Sequence, residues 1–337
     1  MLVLLICLAM ALTAATAGAK TKVNITSWGA AGTIAFDWQF KKYSDIINAA
    51  AAGQFDFKIH PSNTLVPLKD VYQALTSGIV GMSPVWVPAH AGVFPLIEMF
   101  QLPGLSPNQS VSNKAVNALF DRYPQFEAEI DPALKHLSTQ IHMGADLHSR
   151  VPIRTLADLK GKTIGCQTKS AAEALKTLGA GVAVMSNADA YAALERGVID
   201  GTVLAWGAVQ IFRIYEVANY HTLLGIAPGV SYWLANREQV WDKLSEEQKG
   251  LIMNIPSALQ DTMTTSNILQ VLNMTGDVVT PANGHEIITW PEEDMKKMRT
   301  TFKPFWDKWV SDMEKKGYPA REILETTLTL IDAYKYN

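Results

Sequence analysis

Between Lys22 and Trp86 three strand-like runs are separated by two helix-like ones, and this order constrains the fold more than any other feature of the chain. "KVNITSW" (Lys22 to Trp28) alternates apolar and polar residues, "FDFKIHP" (Phe55 to Pro61) does so until a proline stops it, and "IVGMSPVW" (Ile79 to Trp86) runs into a loop of proline and aromatic residues. Between the first two, Phe36, Phe40, Tyr43, Ile46 and Ile47 keep to one helical face. Between the second and third, "LKDVYQALTSG" (Leu68 to Gly78) turns Val71, Tyr72 and Leu75 inward and closes on Gly78. Strands joined through helices pair in parallel, so this β-α-β-α-β order predicts a mostly parallel sheet covered by helices.

The second half repeats the theme. "KTIGCQ", "GVAVMS" and "VIDGTVLAW" read as strands, with "SAAEALKTLG" and "NADAYAALERG" as helices between them. Ser170 and Glu173 have the spacing of a capping box, and Thr155 and Asp158 cap a short turn before Gly161. Further on, a long helix from Ser245 to Gly276 opens with a Ser245/Gln248 box and should kink at Pro256. Another runs from Pro291 to Gly317. A chain of 337 residues can support two lobes, each with its own core. No Ser/Gly/Pro-rich linker separates them, so the lobes are expected to exchange strands and share long helices. The boundaries follow: residues 20–141 mainly lobe 1, 142–232 mainly lobe 2, and 233–337 crossing segments and C-terminal helices, with hinges near Gln140–Met143 and Pro228–Trp233. The fold class is α/β, two-lobed, with a ligand cleft between the lobes.

Charge excludes some partners. The 29 Lys/Arg and 32 Asp/Glu leave a net charge of −3 without clusters or long single-sign runs. Neither a nucleic acid nor an electrostatically held membrane surface suits such a chain. Residues 1–19 read as a secretory signal, an apolar run followed by small residues with Ala17-Gly18-Ala19 as the cleavage site. A membrane anchor is the alternative, but Thr13, Thr16 and the small residues interrupt the run. Cleavage would remove Cys7 and leave Cys166 alone, so no internal disulfide could form. Cys166 reads as a small buried hydrophobe at a strand end more readily than as a nucleophile. Seven histidines include no pair at H-E-x-x-H spacing; His142 and His148, six apart, are a weak metal signal. Neither a G-x-S-x-G elbow nor a G-x-x-x-x-G-K-[ST] loop is present. No metal or cofactor is expected, and a binding module fits better than an enzyme.

From Gly161 onward the order of signals resembles the solute-binding protein of tripartite ATP-independent periplasmic (TRAP) transporters. The matching words are "RVPIRTLADLKGKTIG", "KTLGAGVAVMSNADAYAALERGVIDGTVLAW", "YEVANYHTLL" and "WDKLSEEQKGLI", with "FKIHPSNTLVPLKDVYQALTSGIVGMSPVW" and "FPLIEMFQLPGL" in the first half and "MEKKGYPAREIL" in the tail. The resemblance implies two α/β lobes that close around one small molecule, a long helix spanning both, a periplasmic location and delivery to TRAP-type membrane permease subunits. Monomer is the default for such a shuttle. The family's characteristic ligand is an organic acid gripped by an arginine in the strand after "DLKG"; here Gly165 stands at that position. Glycine lacks the two-pronged donor fork that matches a carboxylate. A second basic residue of some members has no counterpart, and "MGADLHS" offers Asp146 instead.

Ligands of open α/β sheets sit beyond the carboxyl ends of strands. That rule selects Ser27 and Trp28, Trp86 and His90, Gln167, and Trp206, while the segment "PGVSYW" adds Tyr232 and Trp233. Trp28, Trp86, Trp206 and Trp233 are expected to wall the pocket, Gln167 and Tyr232 to donate hydrogen bonds, and Asp146 to act as counter-ion. Aromatic faces can cage an ammonium group at about 0.5–2 kcal/mol each once desolvated, or stack on a flat solute. The same rings could instead pack lobe against lobe, Asp146 could be a turn residue, and Glu173 is explained by its cap. The expected solute is small and cationic, zwitterionic or neutral polar, bound in a pocket that gains room from Gly165. An organic acid held by substitute donors such as Arg150 or Lys169 is the second reading. A periplasmic sensor domain and an enzyme using Cys166 or histidines follow.

Overall fold

A computed structural model describes residues 20–106, 108–226, 228–255 and 275–334. The signal-peptide reading and the Pro256 kink lie outside these residues.

The first lobe begins as the periodicity predicts. Strand β1 (Thr21–Thr26) leads through a wide helical turn, Phe36–Lys41, into helix α1 (Lys42–Ala50) and strand β2 (Phe55–His60). Helix α2 (Val71–Thr76) follows, then β3 (Met82–Trp86), α3 (Gln109–Arg122) and β4 (Leu134–Ile141). Strands β1 and β2 pair in parallel, Thr21 opposite Phe55 through Thr26 opposite His60. Val71 and Leu75 turn into the core as expected, with Tyr72 packed partly against it. Gly78, past the end of α2, has a φ of 76°, the left-handed conformation that ends a helix cheaply only at glycine.

The second lobe contains β5 (Ala145–Ser149), β6 (Thr163–Cys166), α4 (Lys169–Thr177), β7 (Gly181–Val184), α5 (Asn187–Glu195), β8 (Gly201–Leu204), α6 (Trp206–Ile211) and β9 (Tyr220–Ile226). The chain then returns to the first lobe as β10 (Val230–Asn236) and α7 (Glu246–Met253), and adds β11 (Glu286–Ile288), α8 (Glu292–Glu314) and α9 (Ala320–Tyr334). Among the described residues the larger sheet runs β11-β9-β5-β8-β6-β7, and a smaller one runs β3-β10-β4.

The sheets are less parallel than the β-α-β order predicts. Strand β10 is antiparallel to both β3 and β4, and β5 is antiparallel to both β8 and β9. Each of these strands arrives from the other lobe without a helical crossover, so the constraint that makes βαβ units parallel does not act on it. The expected capping boxes at Thr155/Asp158 and Ser245/Gln248 form. The Ser170/Glu173 box does not. Helix α4 begins at Lys169, and Thr168 caps it by accepting the Ala171 amide.

The lobes share cores through α8. Its first half places Met298 and Phe302 among the second lobe's apolar residues, and its second half places Trp309, Val310 and Met313 among the first lobe's. A helix of 23 residues is about 35 Å long, enough to reach both. The chain crosses between lobes at residues 142–144 and again just before β10. The His142 amide donates to the Gly229 carbonyl at 2.8 Å. A Cβ on Gly144 would lie 2.3 Å from the Gly225 backbone, so the two crossing segments touch main chain to main chain and tolerate no side chain there.

Candidate functional site

A cleft of about 870 Å³ opens between the lobes. Trp28 enters it just after β1, and Trp86 from the last position of β3. Their rings meet edge to face at 5.7 Å, and Phe40 from the wide turn before α1 supports Trp28 from behind at 4.9 Å. His142 joins them from the first crossing segment, 4.9 Å from the Trp86 ring and 6.2 Å from Trp28. Its Nε2 lies 2.8 Å from the Ser231 hydroxyl. Burial pushes the His142 imidazole down to about 4, so it is neutral at physiological pH. Trp86 is fixed by a missing side chain: a Cβ on Gly229 would fall 1.9 Å from its ring.

The facing wall comes from the second lobe. Trp206, the first residue of α6, presents part of its ring to the cleft while its Nε1 donates to Asp146 Oδ2 at 2.9 Å. Asp146 Oδ1 accepts the Leu224 and Gly225 amides at 2.8 and 2.9 Å. Burial pushes the Asp146 carboxyl up, and these three donors offset part of the shift. Asn187, at the start of α5, and Gln210, in α6, supply amide groups. Ile34, Leu68, Met143 and Ile211 supply apolar surface. Among the described residues that line the cleft there is no arginine, lysine, aspartate or glutamate.

The structure brings three of the seven expected residues together: Trp28, Trp86 and Trp206. Asp146 sits behind Trp206 rather than in the cleft, 5 % exposed, and both oxygens are taken by protein donors; it is no counter-ion for a solute. Gln167 is exposed between β6 and α4, outside the lining. Tyr232 and Trp233 are fully buried within a strand. They are consecutive residues of β10, the central strand of its sheet, so they point to opposite faces and enter two different cores. Tyr232 packs on Phe94, His136 and Phe120, and Trp233 packs on Tyr43 at 4.1 Å.

Gly165 does not open the cleft either. It lies buried in β6, where a Cβ would stand 2.9 Å from Ile199 Cδ1, 3.3 Å from Thr202 Oγ1 and 3.5 Å from Met185 Sδ. The space is packed, not vacated. Cys166 is buried beside it, its thiol pushed up by burial, which disfavours the thiolate a nucleophile needs. The sequence reading missed His142, Met143 and the residues of 29–35. Their signal was position alone, directly after a strand end.

Residues 28–312 match the model of the DctP family, bacterial extracellular solute-binding protein, family 7. The chain belongs to this family. It is a TRAP-type solute receptor, not an enzyme. A stretch of 75 residues is 41% identical to YiiZ of Salmonella typhimurium, covering 22% of this chain and 23% of that protein. Over 222 residues the chain is 25% identical to the 2,3-diketo-L-gulonate-binding periplasmic protein YiaO of Escherichia coli, covering 65% of this chain and 67% of YiaO. Among solved structures, a marine metagenome TRAP solute-binding protein specific for aromatic acid ligands, in complex with metahydroxyphenylacetate, superimposes with a TM-score of 0.78 at 20% identity. It covers 94% of this chain and 99% of that one. The DctP fold therefore accounts for the two lobes and the cleft between them. Among the described residues no helix is long and apolar enough to cross a membrane.

Proposed function

We propose that this DctP-family chain is exported by a cleaved signal at residues 1–19 and works as a monomer in the periplasm, delivering its solute to TRAP-type permease subunits. The solute it binds carries no net negative charge. It is a neutral molecule with a flat or apolar body, or a quaternary amine, held between the Trp28–Trp86–His142 cluster and Trp206. The observation that carries this reading is the uncharged lining. A carboxylate stripped of water needs a charged or multiply donating partner, and its desolvation otherwise costs several kcal/mol or more. Here His142 is neutral, and Ile199 and Met185 crowd the Gly165 position. A primary ammonium would lack a carboxylate counter-ion as well, since Asp146 is fully engaged by protein donors. A quaternary ammonium needs only aromatic faces. YiaO and the marine metagenome protein are named for acids, so this chain would differ from those two in solute charge while keeping their architecture.

The test is a thermal-shift series on refolded, solute-free protein with choline, 3-hydroxybenzyl alcohol and 3-hydroxybenzoate. A ligand at about a hundredfold excess over Kd adds about 2.7 kcal/mol of stability. A shift with choline or the alcohol and none with the benzoate is expected. A shift with the benzoate alone overturns the reading and moves the search for its partner to Arg150, Lys169 and backbone donors.

A further inference from the structure

Behind Trp206, on the side away from the cleft, three histidines form a hydrogen-bonded line. His148 Nδ1 lies 2.8 Å from His221 Nδ1, His221 Nε2 lies 3.1 Å from His285 Nδ1, and His148 Nε2 lies 3.1 Å from the Leu204 carbonyl. His148 and His221 face each other across the β5–β9 pair, and His285 stands just before β11, the next strand of the sheet. His148 and His221 are fully buried and His285 is the outermost. The Trp206 ring meets His148 edge to face at 5.0 Å and lies 5.3 Å from His221.

The bonds assign every proton in the line. A carbonyl only accepts, so His148 carries its hydrogen on Nε2 and offers the Nδ1 lone pair. His221 must then donate from Nδ1, which leaves its Nε2 as acceptor, and His285 must donate from Nδ1. The assignment holds only for neutral rings, and burial depresses all three imidazoles, His148 to about 4 and His221 to about 2. The ionisable groups on the surrounding elements do not contest it. Asp146 on β5 is occupied by Trp206 and two amides, and Glu286 on β11 is paired with Arg154. Tyr220 on β9 and Asp277 before His285 make no hydrogen bond to the line, and no carboxylate or phenol contributes to the shift of His221.

We infer that His285, His221 and His148 are positioning residues for the cleft wall: the line of bonds that starts at His285 holds the orientation of each inner ring and so holds the Leu204 carbonyl and, two residues further on, the start of the Trp206 helix. The same indole is thus set from two sides, its Nε1 by Asp146 and its backbone entry by the histidine line. This makes a residue outside the cleft a determinant of the cleft's geometry. Removing the His285 donor leaves the His221 Nε2 lone pair buried without its partner, and relief comes only from a turn of that ring, on which both His148 and Trp206 pack.

The experiment is nitrogen-15 spectroscopy of the histidines and of the Trp206 indole N–H in the full chain at neutral pH, in wild type, His285→Ala and His285→Gln. None of these readings needs a solute, so failure here is distinct from failure of the solute reading. In wild type the hydrogens should sit on Nε2 of His148, Nδ1 of His221 and Nδ1 of His285. Alanine should leave the His221 hydrogen on Nδ1, shift the His221 Nε2 signal to that of an acceptor without a hydrogen bond, and shift the Trp206 indole signal. Glutamine, which keeps a donor, should restore both. A different tautomer set in wild type, or a His285→Ala protein with unchanged His221 and Trp206 signals, overturns the proposal. If the alanine variant does not fold, the wild-type tautomers alone decide.

Discussion

Acid should unfold this protein through histidines, and the size of the effect can be worked out. His136, His148 and His221 are 7 %, 0 % and 0 % exposed, and burial is the leading cause that pushes them down to about 4, about 4 and about 2. In the unfolded chain each returns to about 6.5. Between these values the unfolded state binds more protons than the folded one, so stability falls as pH falls through the window from about 6.5 to about 4. At pH 5 the unfolded imidazole is almost wholly charged and the folded one almost wholly neutral. The difference is about 1.5 pH units at 1.36 kcal/mol each, or about 2 kcal/mol per ring. Three rings give about 6 kcal/mol, opposed in part by Glu129, whose carboxyl burial raises to about 8 and which therefore adds stability as pH falls, against the 5–15 kcal/mol that holds a typical domain together. Urea unfolding followed by circular dichroism at about pH 8, 6.5 and 5 reads this directly. The midpoint should drop between the second and third values, while protonation of Glu129 raises it between the first two. His136→Gln removes one titrating ring, stacked on Phe120 at 4.3 Å, and should reduce the drop by about 2 kcal/mol. A midpoint independent of pH down to 5 would refute the claim that these rings are buried neutral.

Other substitutions probe the cleft. Gly165→Arg, which restores the family's residue, should destabilise by about 1–3 kcal/mol because its Cβ meets Ile199; a gain of organic-acid binding at unchanged Tm would show that the site is not packed shut. Gly229→Ala drives a methyl into the Trp86 ring and should both lower Tm by a similar overpacking cost of about 1–3 kcal/mol and weaken solute binding, measured by calorimetry with whichever probe binds. Asp146→Asn leaves an acceptor for the Leu224 and Gly225 amides but turns an amide donor toward Trp206 Nε1, costing about 1–3 kcal/mol for the orphaned indole; an unshifted Trp206 emission spectrum would argue against the assigned bond.

How far the sequence foretold the site depended on which strands were local. Trp28, Trp86 and Trp206 were legible because a strand followed by a helix has a definite carboxyl end, and ligands gather there. Tyr232 and Trp233 misled because β10 enters the first lobe from residues far along the chain and slots between β3 and β4. Nothing in "PGVSYW" marks it as the centre of a sheet. Asp146 misled in the same way: "ADLHS" is a strand with neighbours on both sides, so its carboxylate is spent on the next strand's amides and on an indole. Thr168 replaced Ser170 as the cap because α4 begins one residue before the expected box, a shift that short-range pattern does not resolve.

Gly165, where the resemblance leads one to expect an arginine, is held by packing. The loss of an arginine suggests a hole, yet Ile199, Met185 and Thr202 close on the glycine, and the pocket boundary passes elsewhere. An arginine grip removed by truncation alone would leave a wet space in which water could assist an anion. With a methionine and an isoleucine against the glycine, that space is not open to water or to an anion. The glycine and its apolar neighbours therefore act as one unit. Exchanging any one of them without the others should cost stability before it changes which solute is bound.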